Sequence, residues 1–337
     1  MRIGFVAALV ALPFVGAAPC AAATFFKLVP IVVQGAMDVT ASAISNRSVI
    51  TGHYTGANGV TGFILDGSKE TDLPPSTACG GLAAAFPSAI NKAGDVAGGL
   101  QYPCNYAFLW RNGAYAPAGA FPLGSGGTRP TLNDSGGETY NAFNSQGVYT
   151  SYAGTAGDMK AVRSAGTGMM LLGQNDMAKL GGAAYGLVGK TEQPALFFGH
   201  DGKYTYVGLA GAIACTGGFI NDSGQLAGAC LDSAGAWHAF VHGAGKYRHI
   251  ILPRPPHELS VQAINATGRV VGFYTDPITG LQRVFFFNGK TVSLFGDYPG
   301  GDYLHLALND AGVMVLSDVP ASGASQSWRV VCKGTGC

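Results

Sequence analysis

The sequence predicts an all-β fold, a β-propeller of seven four-stranded blades, on three observations. A phrase built on Asn-x-x-Gly recurs along the chain at a nearly constant period. The runs that follow it are short and apolar at consecutive positions. The composition holds 52 glycines and 47% hydrophobic residues but only 12% charged ones. That balance suits many short strands joined by tight turns, rather than helical bundles or disorder.

The N-terminus comes first. Arg2 precedes an apolar run over residues 3–15, and Ala21 and Ala23 frame an Ala-x-Ala cleavage site. This pattern predicts a signal peptide over residues 1–23 and one propeller domain over residues 24–337. Lipidation at Cys20 and a retained anchor are the alternatives, although Pro19 stands where a small residue should precede a lipidated cysteine. The run is too short to span a bilayer, and no later segment is long enough, so no transmembrane segment is expected after cleavage. The expected location is secreted, periplasmic or at the cell surface.

The repeat units come next. Unit two opens at Ala89 with "AINKAGDVAGG", unit five at Phe219 with "FINDSGQLAGA", unit six at Ala263 with "AINATGRVVGF", and unit seven at Ala307 with "ALNDAGVMVLS". Unit one, "AISNRSVITGH" from Ala43, is looser. Unit three has two candidate starts, "TLNDSGGETY" and "AFNSQGVYTS", and unit four is assigned to "AYGLVGK…ALFFGHDGKY". With Ser45 equivalent to Asn309, six intervals average 44 residues, the length of a four-stranded blade. The ambiguous third unit leaves six or eight blades as alternative counts.

Each element has a physical reason. An Asn side chain starts a turn and a glycine three residues on supplies positive φ, which makes a tight A–B hairpin. Runs such as "VFFF" and "AFLW" are apolar without alternation, as strands buried on both faces require. Short "NGK" or "DGS" turns join C to D, so the longer B–C and D–A loops share the opposite face. The last unit ends after its C strand, "SWRVV". The apolar segment "FFKLVPIVV" (residues 25–33) is the expected fourth strand, closing the ring and covering its edge.

Six cysteines remain after cleavage, an even number that suits disulfides in an exported protein. Cys215 and Cys230 are symmetric about the fifth turn. Cys79 with Cys104 falls in the D–A and B–C loops of unit two, and Cys332 with Cys337 closes a C-terminal loop.

The phrase "AxNxxGxxxG", followed in unit five by His238-Ala239-Phe240, resembles the HAF-repeat family of extracellular bacterial repeat proteins. The resemblance covers residues 43–331 and is weakest in units three and four. It implies export and a propeller, and it brings no catalytic residues to transfer.

Specific chemistry is sparse. No P-loop, nucleophile elbow or HExxH is present, and the histidines stand at unlike offsets from their turns. No catalytic, cofactor-binding or metal-binding residues are assigned. Asp134, Asp222 and Asp310 directly follow turn asparagines and read as turn residues, and the sequons at Asn46, Asn133, Asn221 and Asn265 read as turn by-products. A net charge of +1 without a Lys/Arg cluster argues against nucleic acid. Aromatics in the variable loops, Tyr102, Trp237, Tyr298 and Tyr303 with Asp276 nearby, are the candidate ligand-facing residues. Aromatic plates suit sugar rings or peptide side chains. The expected function is therefore a secreted, non-catalytic binding or scaffolding propeller with a carbohydrate or protein ligand and no cofactor. An extracytoplasmic lyase or hydrolase is the alternative.

Overall fold

The recurring asparagine builds a hairpin and also ties it to the next one. In the sixth unit, Asn265 Oδ1 accepts the N–H groups of Thr267 (3.1 Å) and Arg269 (3.0 Å). Gly268 follows at φ 77°, a left-handed conformation that glycine adopts without steric cost. Asn265 Nδ2 is left free to reach forward, and it donates to Asn309 O of the next unit at 3.1 Å.

The structure, a computed structural model, describes residues 25–77, 81–101, 106–116, 121–122, 128–143, 149–155, 158–163, 167–200, 202–299, 303–321 and 323–334. These form seven antiparallel blades in a ring, and no described residue is helical. Among the described residues, therefore, no helix is long and apolar enough to cross a membrane.

Blade 1 is Asp38–Ile44, Ile50–Gly56, Gly59–Asp66 and Lys69–Leu73. Blade 2 is Ala84–Ile90, Val96–Gln101 and Tyr106–Arg111, with an outer strand in two pieces, Ala114–Tyr115 and Phe121–Pro122. Blade 3 is Thr128–Leu132, Gly137–Phe143, Tyr149–Thr155 and Asp158–Ala161. Blade 4 is Thr167–Gln174, Leu180–Val188, Thr191–His200 and Lys203–Val207. Blade 5 is Ala214–Ile220, Leu226–Leu231, Trp237–Gly243 and Lys246–Ile250. Blade 6 is Leu259–Ile264, Val270–Thr275, Gln282–Phe287 and Val292–Tyr298. Blade 7 is Tyr303–Leu308, Val313–Val319 and Gln326–Lys333, completed by Phe25–Pro30.

One unit assignment sharpens and another is corrected. The third A–B turn is at Asn133, the first of its two candidate starts. The fourth is at Asn175, upstream of "AYGLVGK", which belongs to the second strand of that blade and the turn after it. Ala178 stands there in place of glycine at φ 59°, as Ser48 does in blade 1 at φ 63°. The missing glycine hid the turn.

The second glycine of the phrase answers to crowding. The first strand bulges in blade 6 between Val261 and Ala263, which pushes Ser260 O toward the second strand. A Cβ on Gly272 would sit 2.2 Å from that oxygen, and one on Gly52 would sit 2.1 Å from Thr40 O in blade 1. Blade 7 pairs these strands without a bulge and carries Leu316 at the same place.

The ring closes as the sequence predicts. Phe25–Pro30 runs antiparallel to Gln326–Lys333, from Phe25 opposite Lys333 to Pro30 opposite Trp328, as the outermost strand. The strand is shorter than the predicted segment, because residues 31–33 turn inward instead. Ile31 and Val33 are buried against Val39, Phe63 and Val315, and Phe26 stacks on Phe295 at 4.2 Å. Phe25, Leu28, Val29 and Val32 remain exposed. Pro30 lies on the edge, where a missing donor is tolerated.

Cys215 and Cys230 are directly opposite in the fifth hairpin and form a disulfide. Cys332 is also disulfide-bonded. Cys79, Cys104 and Cys337 lie outside the described residues.

Candidate functional site

The two faces of the ring differ in chemistry. On the turn face, the asparagines form a belt around the axis. Asn133 Nδ2 donates to Asn175 O (2.8 Å), Asn175 to Asn221 O (3.1 Å), Asn221 to Asn265 O (2.8 Å), Asn265 to Asn309 O (3.1 Å), and Asn309 to Ser45 O (3.1 Å). The belt breaks at Ser45, which has no amide, and at Asn91, whose Nδ2 donates to its own blade's Asp95 at 3.2 Å. All four sequon asparagines use their amide nitrogens in the ring, Asn133, Asn221 and Asn265 within the belt and Asn46 by donating to Asp134 Oδ2 at 3.0 Å.

The residues after the asparagines form a second belt. Asp134 Oδ1 accepts Lys92 N–H (2.7 Å), Asp176 accepts Ser135 N–H (2.8 Å), Asp222 accepts Asp176 N–H (2.8 Å), and Asp310 accepts Ala266 N–H (2.7 Å). These carboxylates do more than shape turns, because each fastens the preceding blade. They surround an axial mouth of about 180 Å³. Burial, reinforced by Asp176, Asp134 and Asp310, raises the Asp222 pKa although a backbone hydrogen bond opposes it. Among the described residues no three His, Cys, Asp or Glu side chains converge to hold a metal ion.

One buried carboxyl breaks the pattern. Glu138 is 3% exposed, at a position where the other blades place Ile50, Val96, Leu180, Leu226, Val270 and Met314, all buried. Its Oε1 has no hydrogen-bond partner. Burial pushes its pKa up to about 7, with Asp95 adding to the rise and the Arg111 charge opposing it. Arg111 is committed elsewhere, with Nε and Nη2 donating to Asp95 Oδ2 at 3.0 and 2.8 Å. The apolar cluster between blades 2 and 3 is correspondingly small, with Ala107 and Tyr140 as its buried members.

The variable-loop face carries a groove of about 240 Å³ beside blades 5 and 6 that brings together a tryptophan, two histidines and an arginine. Trp237 and His238, at the start of the third strand of blade 5, line it together with His249 of the adjacent strand and the loop from Ile251 to Pro256. The loop is "ILPRPP", and its three prolines fix their own φ and restrict Arg254, which precedes Pro255. It is pinned to blade 6 by His257 N–H donating to Thr275 O (3.1 Å).

Asp276 then holds Arg254. Its carboxylate is 1% exposed and accepts Arg254 Nη1 at 3.0 and 3.3 Å. Backbone N–H groups of Ile278 and Thr279 donate to its Oδ1. Those backbone donors lower the Asp276 pKa first, with Arg254 adding to them. Also at the groove, His238 Nε2 lies 2.9 Å from Asp232 Oδ2. Backbone donation from Ala236, then His238, lowers the Asp232 pKa.

The five candidate ligand-facing residues therefore separate. Trp237 lines the groove and Asp276 anchors its arginine from beneath. Tyr298 is buried among Val271, Val284 and Leu304, and burial pushes its pKa up to about 12. Tyr303 is exposed, at the start of blade 7. Tyr102 lies outside the described residues. Arg254 was missed, although a lone arginine among three prolines was its available signal.

No family model matches the chain, and no curated protein matches it. Several solved structures share the fold at low identity. The β-propeller domain of the Trilobed protease from Pyrococcus furiosus is 8% identical with a TM-score of 0.55, over 86% of this chain and 95% of that one. That domain is described as having an open velcro topology, whereas here the N-terminal strand closes the last blade. An acylaminoacyl peptidase is 8% identical with a TM-score of 0.56, over 88% of this chain and 52% of that one. A puromycin hydrolase is 13% identical with a TM-score of 0.54, over 86% and 51%. The chain thus spans about half the length of these two peptidases and shares with them the propeller alone.

Proposed function

We propose that the protein is an exported, non-catalytic binding propeller that recognises a carbohydrate or protein partner at the cell surface through its variable-loop face. The observation that carries this reading is the groove that Trp237 lines together with a proline-fixed loop bearing a partly exposed Arg254. A rigid wall with an aromatic plate and a few placed polar groups is the usual makeup of a ligand site. The signal-like segment over residues 1–23 and the Cys215–Cys230 disulfide support export.

Glycan and peptide arrays probed with the mature protein test the reading. At least one ligand class is expected to bind, and Trp237→Ala is expected to weaken that binding roughly tenfold or more. This is the loss that follows from removing a central aromatic worth about 2 kcal/mol. Binding that Trp237→Ala leaves intact would place the site elsewhere. Cleavage of an array ligand with turnover would make the protein an enzyme.

A further inference from the structure

The guanidinium of Arg254 is held at one nitrogen only. Nη1 meets Asp276, while Nε and Nη2 have no hydrogen-bond partner among the described residues. Its side chain is 47% exposed and lines the groove. The carboxylate that it meets is almost fully buried, so one end of the guanidinium is anchored before any ligand arrives. An anchored guanidinium with a free Nε–Nη2 edge can grip a carboxylate through two parallel hydrogen bonds.

The rest of the groove narrows the ligand. No carboxylate lines it, and the nearby Asp232 and Asp276 are engaged by His238 and Arg254. Arg254 is its single arginine and no lysine lines it, which suits one anionic group rather than a polyanion. About 240 Å³ is below the ~300–1,000 Å³ of drug-sized pockets and holds about one ring. Trp237 offers an aromatic surface for the C–H face of a pyranose. His249 also lines the groove, and His238 lines it with its Nε2 held by Asp232.

We infer that the groove binds a uronic acid residue of an acidic saccharide, with its carboxylate on the free edge of Arg254 and its ring against Trp237. This rests on the proposed binding role and deepens it. A peptide ending in a free carboxylate shares the anionic group but not the ring, so it is the competing outcome.

The test is a matched titration of the mature protein with galacturonate oligomers, their methyl esters, and galactose oligomers of the same length. The acid form is expected to bind at least about tenfold more tightly than either neutral form, the worth of one charge-assisted bidentate contact. Arg254→Gln is expected to remove that preference, and it is also expected to lower the melting temperature because the buried Asp276 loses its cation. The comparison of acid with ester uses the unaltered protein, so it stands even if the variant fails to fold. Equal binding of acid and ester overturns the inference but leaves a neutral-sugar site in place. Failure to bind any of these sugars also overturns it. If a peptide with a free C-terminal carboxylate then binds in a Trp237-dependent way, the binding role survives without it.

Discussion

A chain that begins at Ala36 is expected to melt roughly 10 °C below one that begins at Thr24, and to aggregate on warming. The truncation removes the whole ladder between Phe25–Pro30 and Gln326–Lys333. It also takes away Phe26, which stacks on Phe295, and the buried Ile31 and Val33. Each such side chain contributes about 1.5–3 kcal/mol, so the loss is several kcal/mol out of a typical ~5–15. For a domain of this size each kcal/mol moves the midpoint by about 1.5 °C. The strand Gln326–Lys333 would also become an unpaired edge, the usual template for aggregation. Calorimetry and light scattering on the two chains measure both effects. An unchanged midpoint would mean that the ring holds without its N-terminal strand.

Glu138→Leu is expected to stabilise the protein at pH 8 and to do little at pH 4. The folded carboxyl titrates near 7, above its ordinary value of 4.5. Below about 4.5 it is protonated in both the folded and unfolded states, so it carries no ionisation penalty. Between about 4.5 and 7 the unfolded chain gives up the proton more readily, and folding stability falls with rising pH. Above 7 the penalty is complete, on the order of 3 kcal/mol for a shift of this size. The charged groups around it are Asp95 and Arg111 from blade 2, with Tyr140 on its own strand, and none supplies its unpartnered Oε1 with a hydrogen bond. Leucine occupies the same position in blades 4 and 5, so the site accepts its shape. Melting curves should separate by several degrees at pH 8 and converge at pH 4. Equal separation at both values would assign the effect to packing rather than charge.

Much of the architecture was legible because it rests on local chemistry that repeats. Asn221, Asn265 and Asn309 announce their turns with a glycine three residues on, and Cys215 and Cys230 show the register of their hairpin by symmetry. The fourth turn was hidden because Ala178 takes the positive φ that glycine usually signals. The asparagine belt was not legible, since sequence shows that Asn265 starts a turn but not that its amide reaches Asn309 O. The groove was half visible. Trp237 stood out as an aromatic in a variable loop, whereas Tyr298, similar on that criterion, packs inward between blades 6 and 7. Arg254 acquires its meaning only from Asp276, twenty-two residues away in another loop. Glu138 looked like an ordinary strand residue until six apolar counterparts aligned with it.

Hydrogen–deuterium exchange, with and without the best-binding array ligand, tests the central claim that the variable-loop face at blades 5 and 6 is the binding surface. Protection is predicted in residues 232–239, 249–256 and 276–281, with no change at the turn asparagines around the axis. Protection centred on Asn133, Asn175, Asn221 and Asn265, with none at Trp237 or Arg254, would contradict it.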